Sequence, residues 1–200
     1  MKSFFNKYSY IMVKMFIHQC VIGLFGNILA LFSASVKSVP VTIAVGVFGI
    51  LFYFFLIYML IWDVGSRDSN SIDAGRSEYL PFAGLFIAIG AAIPNLFLAL
   101  LHALCFPFAA SNEFLSGVCA ISRIVMLFIN GMYTGLMSTI KIGGMAINNF
   151  WWTYFIIALP IMAVSTLAYI LGTKNMHFTK ILLPVTPEEQ EIKREKKIKK

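Results

Sequence analysis

Charge is scarce in this chain. Asp, Glu, Lys and Arg make up 12% of its 200 residues, roughly half the share of a soluble domain, too few to cover a globular surface with water-facing groups. Catalytic signatures are missing as well. No HExxH, no GxSxG and no glycine-rich phosphate loop occurs. The three cysteines, Cys20, Cys105 and Cys119, form neither a CxxC pair nor an even-numbered framework, which excludes a disulfide scaffold and a dithiol redox motif. His18, His102 and His177 are not spaced as HxxxH, and His102 with Cys105 at i,i+3 lacks a third ligand, short of the set a metal needs. No metal and no cofactor is expected.

What the chain does have is apolar length. Hydrophobic residues are 59% of it, nineteen of them Phe. Its 25 charged residues are gathered: six lie in 61–81 and twelve in 173–200. The stretches cleared of charge are long enough to cross a bilayer, which takes ~20 residues each. The fold class implied is all-α: a polytopic integral membrane protein, a bundle of four to five hydrophobic helices. The segments run over about 15–36, 40–62, 81–105, 114–140 and 151–172. Together they form a membrane domain, 1–172, followed by a basic tail, 173–200.

Local signals refine these elements. The first segment reads as an uncleaved helix, because Lys14, His18 and Gln19 interrupt a signal-peptide core. Ser38 and Pro40 mark the start of the second. Tyr58 and Trp62, and in the fifth segment Trp151, Trp152, Tyr154 and Tyr169, suit the membrane–water boundary. Pro94 and Pro160 should kink the third and fifth segments, with Asn95 placed to satisfy a carbonyl freed by Pro94. In the tail, Thr186, Pro187 and Glu189 form a capping box for a short helix. Its Lys193, Arg194, Lys196, Lys197, Lys199 and Lys200 suit anionic lipid head groups. Lacking interleaved aromatics, the tail is not expected to bind nucleic acid.

The fourth segment is polar along one line. On a helix turning 100° per residue, Asn130, Thr134 and Lys141 fall within 20° of the line through Arg123, with Ser116 and Cys119 within 40° of it. Gly131 and Gly135 lie off this line as a GxxxG, suited to close helix contact. Gln19, Gly23, Gly26 and Asn27 make a small, polar face on the first segment. The positive-inside rule places the tail in the cytoplasm. If the fourth segment does not cross, thirteen of the sixteen Lys and Arg share that side. Five crossings give nine against six. Four crossings plus a re-entrant or interfacial fourth segment is therefore the expected topology. Five crossings, or a first segment that lies in the interface, remain as alternatives. The expected location is the plasma membrane of a bacterial cell, multi-pass, with a cytoplasmic C-terminus.

Two candidate sites follow. Ionisable and amide groups within apolar spans point to a ligand, here Arg123, Asn130, Asn95 and His102, in a polar cavity between kinked helices. The function expected is a non-catalytic membrane subunit or a transporter-like protein, acting as a homo-oligomer or with a partner membrane protein in the lipid bilayer. The alternative site is cytoplasmic: Asp63, Arg67, Asp68, Asp73 and Arg76, able to hold a phosphorylated or lipid-linked substrate for a membrane enzyme. Against it, Asp63–Arg67 and Asp73–Arg76 are spaced as ordinary helical ion pairs, and Gly65, Ser66, Ser69, Asn70, Ser71 and Gly75 suggest turns.

Overall fold

The computed structural model describes residues 2–176. The basic helix expected over 186–200 lies outside the described residues, as does His177. Apart from its connecting turns and one two-stranded hairpin, the described chain is helical, and four of its helical stretches are long and apolar enough to cross a membrane. These are α1 (Lys2–Ser35), α2 (Val39–Asp73), α3 (Ala83–Cys105) and the run from α6 (Thr153–Ile156) into α7 (Ala158–Thr173). Between them lie α4 (Glu113–Ile129) and α5 (Gly131–Thr139), bent by 108° at Asn130.

The first two helices are longer than expected. α1 and α2 have 34 and 35 residues, about 50 Å each at 1.5 Å per residue, against a hydrocarbon core of ~30 Å. The segment at 15–36 extends back to Lys2 because Tyr8, Met12 and Met15 continue its buried face. The segment at 40–62 extends on to Asp73, through the polar stretch expected to turn. Val64, Gly65, Asp68 and Ser69 are buried there, so tertiary contact overrides the weak helix propensity of Ser, Asn and Gly. The helix stops where the chemistry requires it: Gly75 has φ +68°, and Arg76 N–H donates to Ser71 O at 2.9 Å, a left-handed glycine closing the helix end. The turn from α1 to α2 is tight, with Lys37 at φ 55°. Ser38 precedes the first residue of α2 and Pro40 falls in its first turn, where no backbone donor is needed.

Two expectations around the prolines change, the partner of Asn95 and the place of Pro160. Pro94 lies inside a continuous α3, and the Asn95 side chain bonds another side chain, not a freed carbonyl. Pro160 sits in the first turn of α7, and the irregularity of the fifth segment comes earlier, at Ile157. Tyr154 and Tyr169, assigned from sequence to the aromatic belt, are fully buried.

The bundle has two ends. At the near end lie the start of α1, the 74–82 connection and the end of α7. The Lys7 ammonium reaches Asp68, and Trp62 Nε1–H donates to Met176 O at 2.9 Å. At the far end lie the 36–38 turn, the 106–112 connection and the 140–152 segment with its β1–β2 hairpin (Lys141–Ile142, Met145–Ala146). α2 and α7 run in the same direction and meet at Gly65 and Gly172, whose backbones approach so closely that a Cβ on Gly65 would fall 3.1 Å from Gly172 Cα.

α4 enters from the far end, capped by Asn112, whose side chain accepts from Phe114 N–H at 3.0 Å and Leu115 N–H at 3.3 Å. After the bend, α5 packs by Gly131 and Met132 against Gly23 and Gly26 of α1, and by Gly135 and Leu136 against Gly46 of α2. Those neighbours step toward the far end, so α5 returns to the end from which α4 came. The single polar stripe expected from Arg123 to Lys141 does not exist. The bend turns Thr134 off the line of α4, and Lys141 lies on β1.

Candidate functional site

The bend at Asn130 creates a problem that the surrounding side chains solve. Ending α4 inside an apolar bundle strands the last carbonyls of the helix, and each unpaired group there costs several kcal/mol. Asn130 Nδ2 donates to Met126 O at 2.9 Å, and Asn27 Nδ2 on α1 donates to Phe128 O at 3.2 Å and Leu127 O at 3.3 Å. Asn130 is then held from both sides. Its Nδ2 donates to Asn95 Oδ1 on α3 at 2.8 Å, and its Oδ1 accepts from Gln19 Nε2 on α1 at 3.1 Å. Asn130 is 1% exposed and Asn95 2%. Gly23 and Gly26 permit this approach because a Cβ on either would collide with backbone of residues 128–132. The Gln19–Gly23–Gly26–Asn27 face is thus a socket for the bend.

This centre contains two of the four residues expected to bind a ligand. The other two, His102 and Arg123, lie together nearer the far end. His102 is 1% exposed. Its Nδ1 is 3.2 Å from Cys119 O and 3.2 Å from Cys119 Sγ, while its Nε2 is enclosed without a partner among the described residues. The ring meets Tyr154 edge-on at 6.1 Å. Arg123 is half-buried and lies beside the Tyr154 hydroxyl, which itself donates to Asn148 O at 3.1 Å. The four residues therefore divide into an amide centre at mid-bundle and a basic centre above it. A cleft of about 10 Å³ lies nearby between Gly26, Gly46, Gly49, Met132 and Gly135, roughly the room one water requires.

The alternative set does not converge. Asp63 and Arg67 form the expected i,i+4 pair at 2.7 Å on the exposed face of α2. Asp73 and Arg76 are both exposed at its end, without an ion pair among the described residues. Asp68 turns inward and is 6% exposed. Its Oδ1 is 2.7 Å from Lys7 Nζ, and its Oδ2 accepts from Tyr8 Oη at 2.5 Å and Tyr169 Oη at 2.8 Å. One carboxylate thus ties α1, α2 and α7 together. Lys7, Tyr8 and Tyr169 were not expected at any site. The signal that could have found the first two is the repeat Phe4, Tyr8, Ile11, Met12, Met15, which carries the helical period back past position 15.

Among the described residues no three His, Cys, Asp or Glu side chains gather as a metal site would require. Comparison with protein families, curated proteins and solved structures finds no match to this chain.

Proposed function

We propose that this chain is a non-catalytic, transporter-like membrane subunit. It crosses the plasma membrane of a bacterial cell four times, and α4–α5 is a re-entrant hairpin inserted from the face opposite the near end. The observation that carries this reading is the contact of Asn130 with Gln19, halfway along α1, and with Asn95, halfway along α3. A backbone break at membrane depth persists only where protein covers it or where it lines a water-filled path. Membrane carriers build their sites from such broken helices.

Charge supports the orientation. The near end holds Lys2, Lys7, Arg67, Arg76 and Lys174, with Lys14 on the near half of α1, while Lys37 and Lys141 are at the far end and Arg123 is on the far half of the bundle. Cytoplasmic segments are the ones enriched in Lys and Arg, so the near end is assigned to the cytoplasm. The small cleft beside the hairpin favours a path formed between chains, with a second copy or a partner membrane protein supplying the other wall. The enzyme alternative is not favoured, because Asp68 is engaged inside the bundle while Asp63 and Arg67 face outward.

Single cysteines at Ala74, Ser111 and Ile142, in a variant with Cys20, Cys105 and Cys119 changed to Ala, test the topology. In intact cells an impermeant maleimide should label Ser111→Cys and Ile142→Cys and spare Ala74→Cys. Reaction at only one of Ser111 and Ile142 would make the fourth segment a crossing. Extraction into native lipid nanodiscs tests the subunit claim: the particle should contain two or more copies, or a stoichiometric membrane partner. A particle holding one copy alone would end it.

A further inference from the structure

Among the described residues Arg123 is a cation without an anion. Neither ion pair among the described residues involves it. The one acid on its helix, Glu113, is ten residues away. Its neighbours are His102, Cys119 and the neutral Tyr154. A guanidinium in a membrane bundle with no carboxylate beside it among the described residues retains its charge, since Arg does not deprotonate in proteins; one of its five donors is met by the Tyr154 hydroxyl, and the others remain to be satisfied.

Depth indicates what satisfies them. Asn95 and Asn130 share one level, because they are hydrogen-bonded. His102 is seven residues beyond Asn95 on α3, and Arg123 is seven residues before Asn130 on α4. Both helices run between that level and the far end, so His102 and Arg123 rise to the same height, about 10 Å above the amide centre at 1.5 Å per residue. Half of the hydrocarbon core is ~15 Å, and the arginine side chain spans the difference by snorkelling. The guanidinium then lies at the boundary where lipid phosphates begin. Its planar fork matches phosphate oxygens in pairs.

His102 adds a second donor. Its Nδ1 is 3.2 Å from Cys119 Sγ; in the tautomer whose Nδ1 accepts from that thiol, Nε2 carries the ring proton and can donate. The enclosed Nε2, unpartnered among the described residues, is the independent sign that this centre is incomplete.

We propose that Arg123 and His102 bind a phosphate group at the far face of the membrane. This rests on the membrane placement argued above, and it names the ligand class of the basic centre. The phosphate is either the diester of a lipid head group or a free phosphate ion.

The test uses the full-length protein in dodecyl maltoside. Melting temperature is followed with phosphatidylglycerol, with diacylglycerol of the same acyl chains, or with inorganic phosphate, and retained lipid is counted by native mass spectrometry. Phosphatidylglycerol should raise the melting temperature, and diacylglycerol should not. Arg123→Gln should retain phosphatidylglycerol roughly tenfold less well, the loss of one charge-assisted bond. Arg123→Lys should keep part of the binding, and His102→Asn should lose less than Arg123→Gln. A rise with inorganic phosphate that Arg123→Gln abolishes would support the site and make the ligand a soluble ion. An equal rise with diacylglycerol, no rise with either phosphate probe, or unchanged retention in Arg123→Gln overturns the proposal. Should that variant fail to fold, unchanged retention in both Arg123→Lys and His102→Asn overturns it equally. The cysteine labelling above reads the hairpin independently, so failure here leaves the topology standing.

Discussion

Tyr169 donates its hydroxyl to Asp68 at 2.8 Å across 101 positions of sequence, and that bond, with those from Lys7 and Tyr8, makes one carboxylate the fastening of three helices at the near end. Removing the charge should therefore cost more than removing an exposed one. Asp68→Ala should destabilise the protein in detergent by about 1–3 kcal/mol, allowing for the exposure of Lys7. Asp63→Ala, which breaks only the surface pair with Arg67, should change stability by less than about 0.5 kcal/mol. Equal shifts in the two denaturation curves would remove the distinction.

Glycine substitutions should differ in sign according to position. A Cβ on Gly131 would collide with Gly23 O and the Asn27 side chain, whereas a Cβ on Gly117 meets nothing within 4 Å. Gly131→Ala should cost about 1–3 kcal/mol through forced backbone movement. Gly117→Ala, in the exposed interior of α4, should gain about 0.5–1 kcal/mol from helix propensity. Thermal unfolding of the two variants side by side decides the matter.

The amide centre should show energetic coupling. Asn95→Ala and Asn130→Ala each strand the other residue, so a double-mutant cycle should return about 0.5–2 kcal/mol of interaction. Asn130→Ala should be the more damaging single change, because it also releases Met126 O and Gln19. Strict additivity would show that the two amides meet without contributing to stability.

Two tyrosines should respond in opposite ways to loss of the hydroxyl. Tyr53 Oη is buried without a partner among the described residues, and its ring packs edge-on to Tyr133 at 6.4 Å. Tyr53→Phe should leave melting unchanged or raise it, since an unsatisfied buried hydroxyl costs about 1–3 kcal/mol. Tyr169→Phe should lower stability by about 1 kcal/mol through loss of its bond to Asp68. Destabilisation by Tyr53→Phe would reveal a partner for that hydroxyl, such as an enclosed water.

The long apolar spans, the small polar face of α1 and the closeness allowed by Gly131 and Gly135 were legible in the sequence because each depends on composition or on a short period. The charge count pointed to a re-entrant or interfacial fourth segment, but the place where the backbone bends was not found. Asn130–Gly131 is a turn dipeptide, yet the 100° spacing from Arg123 to Lys141 suggested one continuous helix. Periodicity tests which face a residue occupies and carries no information on whether the backbone stays straight. The extension of α2 was hidden for the opposite reason. Its Ser, Asn and Gly content favours a turn, and only contact with α1 and α7 through Asp68 and Gly65 holds it helical. The roles of Tyr154 and Tyr169 were misread because an interfacial tyrosine and a buried, hydrogen-bonded one share the same composition signal.

The socket that receives the bend also dictates an order of assembly. α4 and α5 have 17 and 9 residues, and the stranded carbonyls between them are covered by Asn27 and Asn130. Before Asn27 is in place, Leu127 O and Phe128 O would face hydrocarbon unpaired. Asn27 emerges from the ribosome about a hundred residues ahead of those carbonyls, and N-terminal parts of a chain form first during synthesis. Vectorial translation thus presents the receptor before the insert, and a circular permutant beginning at Ala74 would reverse that sequence, leaving the hairpin to wait at the bilayer surface for its seat.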